Sequence, residues 1–291
     1  MAWAKVLADI DGGPASEAVA RAALQVGRDF AARVELLHVA VSDEETIPIV
    51  AEGMTAGAVG KMLEGLAEQR QLRAETAERV YRTLCVDAGL ATGEPDAAPA
   101  PGRFRVAFRR LDGREADEIV RRGRLADLVI VGGQSADAGF SPALEAAIFA
   151  TGRPLLMVPE RAPERPLEHL GAGIAIAWDG TLGAARATGA ALPLLSRAEK
   201  VVVLTADMEK IGAKPSALAD YLAEHGIEAR TWAFLPAERN LGEQLLAEAE
   251  KAGADMLVMG AYGHSRLRER ILGGATEGVL QRAKIPLLMM H

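Results

Sequence analysis

Short, nearly uninterrupted apolar runs alternate along the chain with longer stretches whose apolar residues recur every three or four positions. "KVLADI", "VELLHVAV", "RVAFRRL", "LVIVGG" and "PLLMVP" read as five strands, and "AGIAIAW", "KVVVLTA", "EARTWAF", "MLVMGA" and "PLLMMH" as five more. Continuous apolar strands separated by amphipathic helices predict an α/β fold whose parallel sheet is covered on both faces. The two sets of strands repeat one another. "VLADIDGGPASEAVARAALQVG" matches "IAIAWDGTLGAARATGAALPLL", placing Asp11-Gly12 against Asp179-Gly180, while "ADLVIVGG" matches "ADMLVMGA" and "GRPLLMVP" matches "KIPLLMMH". A repeat this long predicts two tandem doubly wound domains, each with a five-stranded parallel sheet, rather than a solenoid. Residues 1–160 form the first and 171–291 the second; the charged, proline-bearing stretch 161–170 reads as the linker.

The halves differ in length at two places. Asp11 to Asp127 spans 116 positions but Asp179 to Asp255 only 76, so the first half carries a 40-residue insertion, placed at about 45–103. It contains a helical pattern, "MTAGAVGKMLEGLAEQRQLRAETAERVYRTLCV", and then a Pro/Gly-rich "GEPDAAPAPGR". Conversely, Asp127 to Pro154 spans 27 positions and Asp255 to Pro286 spans 31, so the first half is about four residues shorter after its fourth strand.

Composition narrows the function classes. At 291 residues the chain is long enough for two cores. A net charge of −7 argues against a nucleic-acid partner, which calls for a basic face or tail. The single cysteine, Cys85, excludes an intrachain disulfide and falls in an apolar-periodic stretch that predicts burial. The opening "MAWAKVLADID" lacks a basic region followed by an apolar one, and no apolar run approaches the ~18 residues of a bilayer span. The expectation is a cytoplasmic protein with no membrane partner.

The chemistry concentrates near the end. "MGAYGHSRLRERILGGATEGV", residues 259–279, packs five glycines into 21 positions running from the end of the second half's fourth strand into its last helix. In a doubly wound sheet of order 3-2-1-4-5, ligands sit beyond the carboxyl ends of the strands, between the first and fourth, where the winding reverses. Asp179-Gly180 and Met259-Gly260 then flank one crevice. Gly260 and Gly263 permit close backbone approach, and Gly273, Gly274, Ala275 and Thr276 sit where a helix N-terminus favours an anion. Arg266, Arg268 and Arg270 lie between, although mixed-sign "RLRER" also reads as a solvated surface.

The spacing Gly260, two residues, Gly263, nine residues, Gly273 resembles the G-x2-G-x9-G-[ST] signature of the ATP-binding branch of the universal stress protein family. "AWDG" and "ADMLVMGAYG" resemble that family as well, and the likeness extends over most of the chain outside the insertion. The resemblance implies ATP, with or without Mg2+, bound in the second half only. It places Asp179 near adenine and ribose, and Thr205 and Ala206 beside the adenine. It places Met259, Gly260 and Gly263 along ribose and phosphates, and Gly273, Gly274, Ala275 and Thr276 around the triphosphate. The family's hydroxyl residue after the third glycine is Gly274 here, which leaves Thr276 as the nearby hydroxyl. It further implies pairing of the two domains through their last strands within the chain, with a homodimer as a further assembly. The first half's "GGQSADAGFSPALEAAI" has neither the spacing nor the glycines, so that half is not expected to bind ATP in this manner; its insertion covers the crevice or serves as a partner surface.

No catalytic group stands out. His38, His169, His225, His264 and His291 are scattered without metal-ligand spacing, and there is no G-x-S-x-G elbow. Glu269 and Glu277 flank the loop and read first as solvated helix-face residues. Three functions remain: a nucleotide-binding stress-response or regulatory protein with at most slow ATP hydrolysis; an interaction and assembly module with vestigial sites; or an ATP-using enzyme of a related α/β superfamily.

Overall fold

A computed structural model describes residues 3–40, 56–87, 89–90, 92–133, 141–160, 170–206, 214–236, 241–261 and 274–291. In the first half, β1 (Lys5–Asp9), α1 (Ser16–Phe30), β2 (Arg33–Ala40), α2 (Ala56–Asp87), β3 (Thr92–Gly93) and β4 (Arg105–Asp112) are followed by α3 (Glu115–Gly123), β5 (Leu128–Gly132), α4 (Pro142–Ala150) and β6 (Leu155–Val158). The second half runs β7 (Gly173–Ala177), α5 (Leu182–Leu195), β8 (Lys200–Thr205), α6 (Pro215–Glu224), β9 (Ala229–Ala233), α7 (Leu241–Lys251), β10 (Met256–Gly260), α8 (Gly274–Arg282) and β11 (Leu287–Met290).

The strands order as β3-β4-β2-β1-β5-β6-β11-β10-β7-β8-β9. Leaving β3 aside, each half has the expected order 3-2-1-4-5. Neighbours within a half are parallel, whereas β6 and β11 are antiparallel, with Leu156 opposite Leu288. Side chains alternate between two layers: Val6, Ala8 and Leu36 pack on one side of the sheet, Leu7, Leu37 and Val129 on the other. The acidic residue preceding each half's fourth strand fastens the start of its first. Asp127 Oδ2 accepts from the backbone N–H groups of Ala4 and Lys5 at 2.8 and 3.0 Å, and Asp255 accepts from those of Gly171 and Gly173 at 2.9 and 3.1 Å. Helix starts follow local chemistry: Ser141 Oγ caps α4 at Leu144 N (3.0 Å) ahead of Pro142, and Pro215 opens α6.

The insertion has two parts. The crossover helix, 10 residues in α6, becomes 32 in α2, about 48 Å at 1.5 Å per residue. Ala74, Ala77, Leu84 and Cys85 bury its C-terminal portion, and Tyr81 stacks on Phe108 at 5.1 Å, while residues 57–73 include no buried side chain. The second part returns along the outer edge of β4 through β3. It is held there by Arg33 to the Pro95 and Ala97 carbonyls, Arg105 to that of Ala98, and Arg109 to Asp96. Beneath it, Glu35 is 2% exposed and its Oε1 accepts from Arg109 Nε and Arg122 Nη1, both at 2.9 Å. The expected linker, 161–170, lies outside the described residues apart from Leu170.

Candidate nucleotide crevice

In the second half β7 and β10 lie side by side, and β8 continues on the other side of β7. This is the winding reversal at which an open α/β sheet presents a crevice. Past the end of β7, Gly180 takes φ +72°, the left-handed conformation that lets the chain turn within two residues. Asp179 is exposed. Its Oδ1 accepts from the Thr181 backbone N–H at 3.0 Å and hydroxyl at 2.6 Å, while Oδ2 accepts from no described residue. Thr181 in turn caps α5 by accepting from Ala184 N at 3.3 Å. The turn therefore fixes one carboxylate oxygen and leaves the other without a partner among the described residues.

Thr205 ends β8, beside the crevice. It is fully buried, and its hydroxyl has no hydrogen-bond partner among the described residues. Leaving a hydroxyl unsatisfied in the interior costs about 1–3 kcal/mol. Ala206 next to it is half-buried. Met259 packs its side chain into the core, leaving its backbone for any contact with a ligand. Gly260 is demanded by packing alone: a Cβ there would fall 2.6 Å from the Gly183 carbonyl carbon, where α5 begins. Gly274, Ala275 and Thr276 are the first residues of α8, and Thr276 is buried. Glu277 accepts from Gln281 Nε2 at 3.1 Å within the same helix. Gly263 and Gly273, with His264, Arg266, Arg268, Glu269 and Arg270, lie outside the described residues, as does His169.

The first half repeats this turn and then closes it. Gly12 takes φ +80°, and Asp11 Oδ1 accepts from Gly13 N at 2.8 Å and Ser16 Oγ at 2.9 Å. Over the turn lies α2: a Cβ on Gly12 would sit 2.1 Å from the Arg73 carbonyl oxygen, and the Arg73 guanidinium is 3.8 Å from Asp11 Oδ2. The insertion's helix thus lies against the Asp11-Gly12 turn. The pairing registers (Lys5 with Arg33, Gly173 with Lys200) put His38 where the second half has Thr205. His38 Nδ1 is 2.9 Å from the Ile10 carbonyl, which can only accept, so Nδ1 carries the proton. Nε2 is then a buried lone pair without a partner among the described residues, and burial pushes the imidazole pKa down.

On the opposite face, Asp9 is buried with Oδ1 unpartnered among the described residues; desolvation, then Glu115 and Asp11, push its pKa well up. Burial, then Asp11, pushes Glu115 up to about 7, against a lowering by Arg73. Folded Glu115 thus keeps its proton where the unfolded side chain, with an ordinary value of 4.5, has lost it. The associated stability is complete below that ordinary value and is lost as pH rises through about 7. Glu115→Gln is expected to flatten this fall by about 3 kcal/mol, measured as urea-unfolding free energies at several pH values between these limits. A variant as pH-dependent as the parent would refute this origin. Among the described residues no group of three or more His, Cys, Asp and Glu side chains is disposed to hold a metal ion, and no helix is long and apolar enough to cross a membrane.

The fold defines a doubly wound α/β protein of two similar halves, with α2 lying against the Asp11-Gly12 turn of the first. Residues 172–291 match the model of the universal stress protein family. A 48-residue segment is 35% identical to universal stress protein MJ0577 of Methanocaldococcus jannaschii, covering 16% of this chain and 30% of the relative. A 46-residue segment is 41% identical to universal stress protein Slr1230 of Synechocystis, covering 16% of each. The matched segments therefore span less than a third of the length of these relatives. A universal stress protein structure from Archaeoglobus fulgidus shares the fold over 98% of this chain and 95% of its own, with a TM-score of 0.63 at 15% identity.

Proposed function

We propose that the second half binds an adenine nucleotide beyond the carboxyl ends of β7 and β10, and that the chain acts as a cytoplasmic stress-response binding or regulatory protein. The observation that carries this reading is the buried Thr205 hydroxyl, without a partner among the described residues, at the end of β8, the strand next to the one that leads into Asp179. The hydroxyl suits a hydrogen bond to a base, and the free oxygen suits a ribose hydroxyl. The backbone N–H groups at the start of α8 suit phosphate oxygens. Mg2+, where present, would arrive with the nucleotide, since the described residues supply no metal cluster.

Titration calorimetry with Mg-ATP on the whole chain tests this. Gly263→Val and Gly273→Val are expected to weaken binding at least tenfold, the loss of about 1.4 kcal/mol of phosphate contact. Thr205→Val is expected to weaken it by roughly fivefold without lowering the unfolding midpoint, because it removes a hydroxyl that no described residue satisfies. Unchanged affinity in both glycine variants would sink the proposed loop.

A second reading, an interaction module, is favoured for the first half by α2 lying on Asp11-Gly12. Absence of both heat and thermal stabilisation with nucleotide would extend that reading to the whole chain.

A further inference from the structure

The sheet has two outer edges, and the chain treats them differently. On the first-half side the insertion lays β3 and the 94–98 segment along β4, fastened by Arg33, Arg105 and Arg109. On the second-half side β9 is the last strand, paired with β8 alone. The strands that could have joined two chains at the middle, β6 and β11, are already paired to each other. β9 is thus the one full-length strand edge left open among the described residues. It carries no proline, lysine or bulge of the kind that blunts exposed edges.

Its backbone and side chains favour a particular occupant. The Phe234 N–H points to the Thr205 carbonyl on β8, so by alternation Arg230 and Trp232 also face β8 with their amides. Ala229, Thr231 and Ala233 then turn their N–H and C=O groups outward. An antiparallel strand uses all three when Thr231 faces Thr231 and Ala229 faces Ala233, a pattern of six hydrogen bonds. That register also sets Arg230 opposite Trp232 twice, in the closer, non-hydrogen-bonded pairs. Both side chains are exposed, Trp232 at 39%. A guanidinium over an indole face is an attractive pair. Sliding the pairing by one step in which Ala229 faces Thr231 would instead set Arg230 against Arg230. The register with the most hydrogen bonds is therefore also the one with complementary side chains.

We propose that a second copy of this chain docks on β9, the two β9 strands running antiparallel about a two-fold axis through Thr231, with Arg230 of each copy on Trp232 of the other. The interface is isologous and closes at two chains. It also points the two second-half crevices to opposite ends of the joined sheet.

Sedimentation velocity and tryptophan emission of the full chain across a concentration series test this. Trp3 and Trp178 are buried, at 7% and 9% exposure, so Trp232 reports on the edge. The expected result is a concentration-dependent dimer whose formation shifts emission to the blue. Thr231→Pro, tolerated at a strand edge, is expected to raise the dissociation constant roughly thirtyfold by removing the two central hydrogen bonds. Trp232→Ala, which leaves the backbone intact, weakens the dimer in the same direction and abolishes the emission change. A chain that stays monomeric at every concentration would overturn the proposal. So would a dimer that both variants leave unchanged, or a monomer whose emission shifts only when an extended peptide is added.

Discussion

Gly12→Ala is expected to destabilise the chain by about 4 kcal/mol, the sum of a left-handed alanine and a backbone clash. At φ +80° an alanine pays roughly 1–2 kcal/mol in conformational energy before any contact is counted. Its methyl group would then lie 2.1 Å from the Arg73 carbonyl oxygen, and a carbonyl in the middle of a helix cannot rotate away. Either the Asp11–Gly13 turn distorts or α2 lifts from the sheet edge. Urea unfolding measures the energy, and hydrogen exchange along α2 distinguishes the two routes. Arg73→Ala provides the contrast: it deletes only an ion pair whose side chains are 50% and 36% exposed, and is expected to change stability by less than about 0.5 kcal/mol. A large effect of Arg73→Ala beside a small one of Gly12→Ala would show that charge, not backbone contact, seats the helix.

Glu35→Ala is expected to cost about 3 kcal/mol, because it strands two guanidiniums around a buried site. Arg109 and Arg122 are only 14% and 15% exposed and share Glu35 Oε1. Arg109 retains Asp96 and Arg122 retains Glu118, which keeps the loss below that of a fully isolated charge. Glu35→Gln, still able to accept from one arginine, should cost about half as much. The same denaturation series checks both; equal losses would mean that packing rather than charge governs the site.

The elements were legible because each is announced within ten or fifteen residues: apolar runs for the strands, period-3.6 patterns for the helices, Asp-Gly at both turns. The strand order was an assumption that comes with the doubly wound class, since the spacings of the two copies do not fix which strands lie side by side. Length bookkeeping located the insertion and its helix. What it could not say is where that helix lies, because the contact between Gly12 and Arg73 joins positions 61 apart and leaves no local trace. Glu35 is similar: inside "RVELLHVA" it looks like a polar interruption, and its partners come from 74 and 87 positions away. Asp9 and His38 carried a faint signal, an acid and an imidazole at the ends of otherwise apolar strands, but only the fold shows that both are buried with an atom unpartnered among the described residues. At the crevice, motif spacing singled out Gly260, whereas the geometry assigns that glycine first to the close approach of α5. Met259 likewise reads as a ribose neighbour from the motif and as a core residue from its burial.

The antiparallel meeting of β6 and β11 has a consequence for how such a chain can change. When one gene product supplies both members of a symmetric pair, every substitution enters both members at once, and a change useful in one must be tolerated in the other. Here the paired units are a single polypeptide, so each position can mutate singly. Histidine and threonine at one shared register position, aspartate and alanine at another (Asp9 and Ala177), are the record of that freedom. One copy can therefore carry a helix over its Asp-Gly turn without the same change being imposed on the other.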